Sequence, residues 1–274
     1  MDRQALKELL EFYAESGVDA AIGDEAVDRY SEPKAQAAPP LAPAPAQPEP
    51  MVPAARRPSP PPIATQESDD PVQGLAHAEA LAAGASTLEE LRAALDGFDG
   101  CALKKTARQL VFADGNPDAS IMLIGEAPGR DEDAQGLPFV GRSGQLLYKM
   151  LAAIGLDRTK VYIGNVIYWR PPGNRTPTPD ERALCEPFIR RQIALVQPKV
   201  MMTLGGSALS TLFEGRTGIM KTRGQLLTYA QDGLSIPTIP TLHPAGLLRQ
   251  PLNKRLAWRD LLLLDELARE HGAR

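Results

Sequence analysis

Cysteine is nearly absent from this chain of 274 residues: Cys101 and Cys185 are its two thiols. A pair so far apart makes no disulfide framework, and the scarcity suits a reducing cytoplasm. No apolar run approaches the ~20 residues that cross a bilayer, so no membrane association is expected. The opening stretch, MDRQALKELLEFYAES, is acidic and amphipathic and lacks the apolar core of a signal peptide. Phosphate-cradling glycine motifs are missing as well. Neither G-x-G-x-x-G nor G-x-x-x-x-G-K-[ST] occurs, which removes dinucleotide and P-loop readings on spacing alone. Histidine is scarce, at three residues.

What is present is unevenly distributed. Net charge is −4, a poor balance for a nucleic-acid binder until it is divided along the chain. Residues 1–100 hold 7 Lys+Arg against 18 Asp+Glu, whereas residues 101–274 hold 23 against 16. A basic body with an acidic appendage raises the expectation of a polyanionic partner. Residues 1–30 place Leu6, Leu9, Leu10 and Tyr13 at helical spacing. That segment is too short for a core of its own, so it is expected to dock on the rest of the chain or on a protein partner. Residues 31–72 carry about half of the 26 prolines among Ala, Gln and Ser. Such a composition cannot offset its ordering entropy and reads as an extended, disordered linker. Residues 73–274 form the folded domain.

Within that domain the chain is organised around Ile121–Leu147, IMLIGEAPGRDEDAQGLPFVGRSGQLL. A short apolar run fit for a buried strand leads into a loop of glycines and carboxylates, and a helix-like segment follows. Strands are expected at Leu110–Ala113, Ser120–Ile124, Val161–Gly164, Lys199–Leu204, Gly224–Tyr229 and Ile236–Thr241. Helices are expected between them, one opened by Thr178, Pro179 and Glu181 as a capping box, another by Ser86 or Thr87 before Leu88, and a last one over residues 251–270. Alternating strands and helices imply an α/β fold with a mostly parallel sheet covered on both faces. Sites in such sheets lie at the carboxyl ends of the strands.

Three of those ends carry unusual loops: GEAPGRDED…PFVG, NVIYWRPPGNRTP and LHPAGLLRQP. Together, and in this order, they resemble the family 4 uracil-DNA glycosylases, the iron–sulfur branch of the uracil-DNA glycosylase superfamily, over roughly Thr87 to Leu267. The resemblance implies a three-layer α/β/α sandwich with a central parallel four-stranded sheet and a uracil pocket at its carboxyl edge. It implies DNA containing uracil as substrate and excision of the base to leave an abasic site; the chain is expected to be a monomer in the cytoplasm.

The residues suit that chemistry. An enzyme acting on a base extrudes it, stacks it and reads its Watson–Crick edge. Phe139 supplies a stacking face, and Asn165 can donate to O4 and accept from N3–H of uracil. His243 can donate to O2 as the glycosidic bond breaks. Gly125 and Ala127 are expected to bind uracil, in the Gly125–Gly129 loop whose backbone N–H groups would help stabilise the leaving anion. Glu126, with Glu132 second, is expected to bind or orient the attacking water. Gly129 stands where another branch uses a bulky thymine-excluding residue. Arg170 and Arg175 suit phosphates, Leu247, Leu248 and Arg249 resemble a wedge that enters the base stack, and Lys254 and Arg255 add a basic flank. Two other readings share these residues: a non-catalytic DNA-binding or polymerase-associated module, and a glycosylase for other deaminated bases such as hypoxanthine. A covalent uracil-trapping reading fails because RPPGNRTPTP contains no histidine.

The resemblance also implies a [4Fe–4S] cluster on four cysteines. In this chain those positions are Phe98, Cys101, Trp169 and Cys185. Phe and Trp cannot ligate iron, so no cofactor and no metal is expected, and the two rings are expected to fill the former cluster volume beside two reduced thiols.

Overall fold

The computed structural model describes residues 71–213 and 218–273. The expected helical segment 1–30, and all of the 31–72 linker except its last two residues, lie outside the described residues. Helix α1 spans Pro71–Gly84 and α2 spans Leu88–Gly97. Thr87 is the N-cap of α2, its hydroxyl accepting from the Glu90 amide, while the Glu90 carboxylate accepts from the Ser86 amide. Leu91 and Leu95 form the buried stripe.

The sheet has six strands in the order β1-β3-β2-β4-β6-β5. β2 (Ile121–Gly125), β3 (Tyr162–Asn165), β4 (Val200–Leu204) and β6 (Leu234–Thr241) form its parallel centre. β1 (Ala113–Gly115) and β5 (Leu227–Gln231) close the two edges in antiparallel pairing. β1 starts three residues later than expected. Leu110–Phe112 are buried, but only the Val111 amide reaches across, to the Tyr168 carbonyl, so this apolar run packs without forming a ladder. An apolar run specifies burial, not pairing.

Period-two alternation splits the core into two layers. Met122 and Ile124 pack with Phe188, Ile189 and Ile193 of α5 (Pro179–Val196) and with residues of α1 and α2. Ile121 and Leu123 pack on the other face with Leu147 and Leu151 of α4 (Arg142–Ala153) and with Leu261, Leu264 and Leu267 of α9 (Lys254–Glu270). Every residue of β2 and β4 is buried. This is the expected α/β/α sandwich, with two antiparallel edge strands added to the central four.

Four short helices complete the described residues: α3 (Arg130–Gln135), α6 (Gly206–Leu212), α7 (Ile219–Thr222) and α8 (Pro244–Arg249), the last following β6. α3 replaces what reads in sequence as an acidic loop. Its carboxylates, Asp131, Glu132 and Asp133, lie in its first turn, and Gly136 ends it at φ +73°. Charge complementarity with the helix dipole makes that placement favourable. Among the described residues no helix is long and apolar enough to cross a membrane.

Candidate active site

The parallel centre brings three strand ends to one edge. Gly125 lies opposite Asn165 in the β2–β3 register, and Leu204 opposite Thr241 in β4–β6, two residues before His243. A cleft of about 390 Å³ opens there, walled by Glu126–Gly129, Glu132, Phe139, Asn165, His243 and Arg249, with the 171–176 loop at its mouth.

Asn165 is 2 % exposed, and its Oδ1 is buried with no hydrogen-bond partner. An unsatisfied buried acceptor costs about 1–3 kcal/mol, so this amide is held ready for something that is not protein. The glycine beside it is required: a Cβ on Gly125 would press on Asn165 Oδ1 and come within 2.6 Å of the Phe139 ring. Phe139 carries φ +55°, a conformation that costs a non-glycine residue about 1–3 kcal/mol. Its ring lies 5.7 Å from that of His243, tilted by 30°.

His243 caps α8, with Pro244 in the first turn and Nδ1 accepting from the Ala245 amide at 3.2 Å. That bond places the proton of the neutral ring on Nε2. Burial, helped by the charge of Arg249, pushes the imidazole down to about 4. At neutral pH His243 is therefore an uncharged donor. Glu126 has its carboxyl held above the ordinary range by burial, against the opposing charges of Arg182 and Arg249.

Glu132 behaves differently from Glu126. One of its oxygens accepts from the Val140 and Gly141 amides at 3.0 and 2.9 Å, the other from Gly129 at 3.1 Å. It thereby ties the glycine loop to the Phe139 loop. Gly129 leaves room for this, since a Cβ there would sit 2.8 Å from Glu132 Oε2.

The expected DNA contacts separate into groups. Arg175 and Arg249 line the cleft, although Arg175 is already paired with both oxygens of Glu181 at 2.8 and 2.5 Å. Arg170 donates to Asn174 Oδ1 at 2.7 Å and stands 4.0 Å from Asp133. Leu248 is 36 % exposed, but Leu247 is 1 % exposed and packs with Leu242 and Ala257. Of the two leucines expected as a wedge, α8 turns Leu247 inward and Leu248 outward. Lys254 and Arg255 lie outside the cleft, on a groove between α4 and α9. Ser143, Thr176 and Ala245 also line the cleft; nothing in their residue type marked them.

The four positions of the implied cluster are all buried in one apolar core. Phe98, Cys101 and Cys185 are fully buried, Trp169 is 2 % exposed, and all four belong to one apolar cluster. The neighbouring Cys101 thiol, together with burial, pushes the Cys185 thiol well above its ordinary range. Phe98 packs against Phe188 at 5.4 Å and His77 at 5.8 Å, folded back over Gly100. Trp169 meets Tyr168 edge-on at 6.4 Å. The rings thus share a core but have different ring partners. Among the described residues no group of three or more His, Cys, Asp or Glu side chains is placed to hold a metal ion. Two thiols and two aromatic rings do not fit a four-thiolate cluster.

A family model for the uracil DNA glycosylase superfamily matches residues 112–263. Narrower likenesses follow from individual proteins. A type-4 uracil-DNA glycosylase of Archaeoglobus fulgidus is 43 % identical over 171 residues, covering 61 % of this chain and 86 % of that protein. Those of Thermotoga maritima and Sulfurisphaera tokodaii are 40 % and 37 % identical over 175 and 187 residues, covering 63 % and 66 % of this chain and 90 % and 85 % of theirs. The chain belongs to the uracil-DNA glycosylase superfamily, in its type-4 branch.

Proposed function

We propose that this protein excises uracil from DNA, leaving an abasic site, and that it does so without an iron–sulfur cluster. The unpartnered buried Oδ1 of Asn165 beside Gly125 carries this reading. A module that only binds DNA gains nothing from that unsatisfied group.

The flipped base lies against Phe139, with Asn165 Oδ1 accepting from N3–H and Nδ2 donating to O4. Cytosine presents the opposite pattern at both atoms. As the bond between C1′ and N1 lengthens, its electron pair moves onto the uracil ring and the sugar becomes oxocarbenium-like. His243 Nε2–H donates to O2, where that negative charge accumulates. A preorganised neutral donor stabilises the developing anion without surrendering its own proton. Water then adds to C1′, oriented by Glu126, whose carboxylate receives the proton. Glu132, with its oxygens on three amides, serves as scaffold for both loops. Arg249 and Leu248 would meet the strand and the vacated stack, with Arg175, which lines the cleft, and Arg170 beside it on phosphates.

The absence of a cluster rests on the donor set at Phe98, Cys101, Trp169 and Cys185. Purified protein is expected to be colourless and free of stoichiometric iron. We place the protein in the cytoplasm, where both thiols stay reduced. The test of function is the full chain on single- and double-stranded oligonucleotides carrying uracil, hypoxanthine or a thymine mismatch, with abasic sites scored by alkaline cleavage. Cleavage at uracil is expected; binding with no cleavage at any of the three would leave a DNA-binding module.

A further inference from the structure

Phe139 does not hold its own conformation. Its φ of +55° is one that a bulky side chain rarely adopts, and strain of this kind persists only where the surroundings over-determine it. Two features do so. The Phe139 backbone is pressed against Gly144, whose Cβ, were there one, would collide with the Phe139 carbonyl oxygen. That same oxygen accepts a hydrogen bond from Arg158 Nη2 at 3.2 Å.

Arg158 is fixed on three sides. Its other Nη is ion-paired with Asp114 of edge strand β1. Its guanidinium carbon lies 4.0 Å from the centroid of the Tyr148 ring, on α4. The turn that presents it is capped by Asp157, which accepts from the Thr159 amide at 2.8 Å. One planar group thus joins the sheet edge, the helix that packs on the sheet, and the strained residue of the cleft. Arg158 does not line the cleft.

We propose that Arg158 is a positioning residue: it clamps the Phe139 carbonyl so that the ring lies along the base pocket, and base capture depends on it. This rests on the reading of Phe139 as the stacking face. The fork geometry matters, because a guanidinium can serve an acid and a carbonyl at once, whereas an ammonium is a single point charge. The fold has a use for β1 here as well, since the edge strand supplies Asp114.

The experiment is a double-mutant cycle on the full chain, with Arg158→Ala, Phe139→Ala and the pair, in single-turnover excision of uracil from a single-stranded oligonucleotide. Thermal unfolding of each variant is followed alongside. Arg158→Ala is expected to raise the half-saturating concentration roughly tenfold, within the range for loss of one stacking ring, but to add less than about twofold in the Phe139→Ala background. Arg158→Lys should keep the Asp114 ion pair and most of the stability while capturing uracil no better than Arg158→Ala. An equal loss in both backgrounds, or full rescue by lysine, overturns the proposal, since each points to a merely structural ion pair. A crystal structure of Arg158→Ala provides a readout independent of activity. The Phe139 ring should leave its place over Gly125 and φ should turn negative. An unmoved ring refutes the clamp even if the protein cleaves nothing, whereas failure of the unaltered protein to cleave uracil bears on the activity alone.

Discussion

Replacing Trp169 by alanine tests whether aromatic packing has taken over from the cluster. Trp169 is among the largest fully buried side chains, and the backbone around it has little freedom to collapse. The Val166 and Ile167 amides donate to the carbonyls of Gly125 and Glu126, and the Val111 amide donates to Tyr168. A hole in such surroundings stays open, so the loss should fall in the range of about 3–5 kcal/mol for a large aromatic removed from a core. For a domain of roughly 200 residues each kcal/mol moves Tm by about 2–4 °C, giving a fall of roughly 6–20 °C. Chemical and thermal unfolding of the full chain, followed by circular dichroism, measures this. Trp258, at 39 % exposure on α9, supplies the control: Trp258→Ala should cost no more than about 0.5–1 kcal/mol. If Trp169→Ala is as mild as its control, the ring is not a structural replacement, and the packing argument fails.

Phe139→Ala should weaken uracil capture by about 1–3 kcal/mol, the worth of one stacked base. Comparable losses in binding to an oligonucleotide with an abasic site at that position would assign the effect to folding. Acid pH should slow excision through Glu126, not His243. The Glu126 carboxyl is raised by burial and must be ionised to orient water, so the rate falls as pH drops through that raised value. His243, pushed down to about 4, stays neutral through the usual histidine range and gives no step near pH 6.5. The same depression contributes stability above pH 6.5 that is lost as the pH falls toward 4. A pH–rate profile whose acid limb survives in Glu126→Gln but vanishes in His243→Asn would reverse the assignment. For the metal, iron analysis and the visible spectrum of the protein as purified should both be blank, and a brown protein with stoichiometric iron would contradict the donor-set argument.

Much of this was legible in the sequence because the site lies where strands end. Gly125, Asn165 and His243 each follow an apolar run, and a parallel sheet has no alternative but to bring such ends to one edge. The burial of Phe98 and Trp169 was legible from size: two large rings at the implied ligand positions point inward when a core is available. What could not be read depended on contacts made across the fold. Glu132 looks like any acidic loop residue until its oxygens are found on three amides from two loops. Leu247 and Leu248 are chemically identical, and only the phase of α8 separates them. Arg158 follows a turn-forming Asp157, with nothing to announce that its carbonyl partner is Phe139.

The central claim is that Asn165 reads uracil in a pocket built for excision. Single-turnover cleavage of a uracil-containing single-stranded oligonucleotide by the full chain, beside Asn165→Asp, tests it most directly. A carboxylate cannot donate to O4 and repels the developing anion; the lost contact alone is worth about 1–3 kcal/mol, or roughly 5- to 150-fold in rate. The account predicts rapid excision by the unaltered protein and at least that loss in the variant, with both unfolding at similar temperatures. Uracil excision undiminished by Asn165→Asp would contradict it.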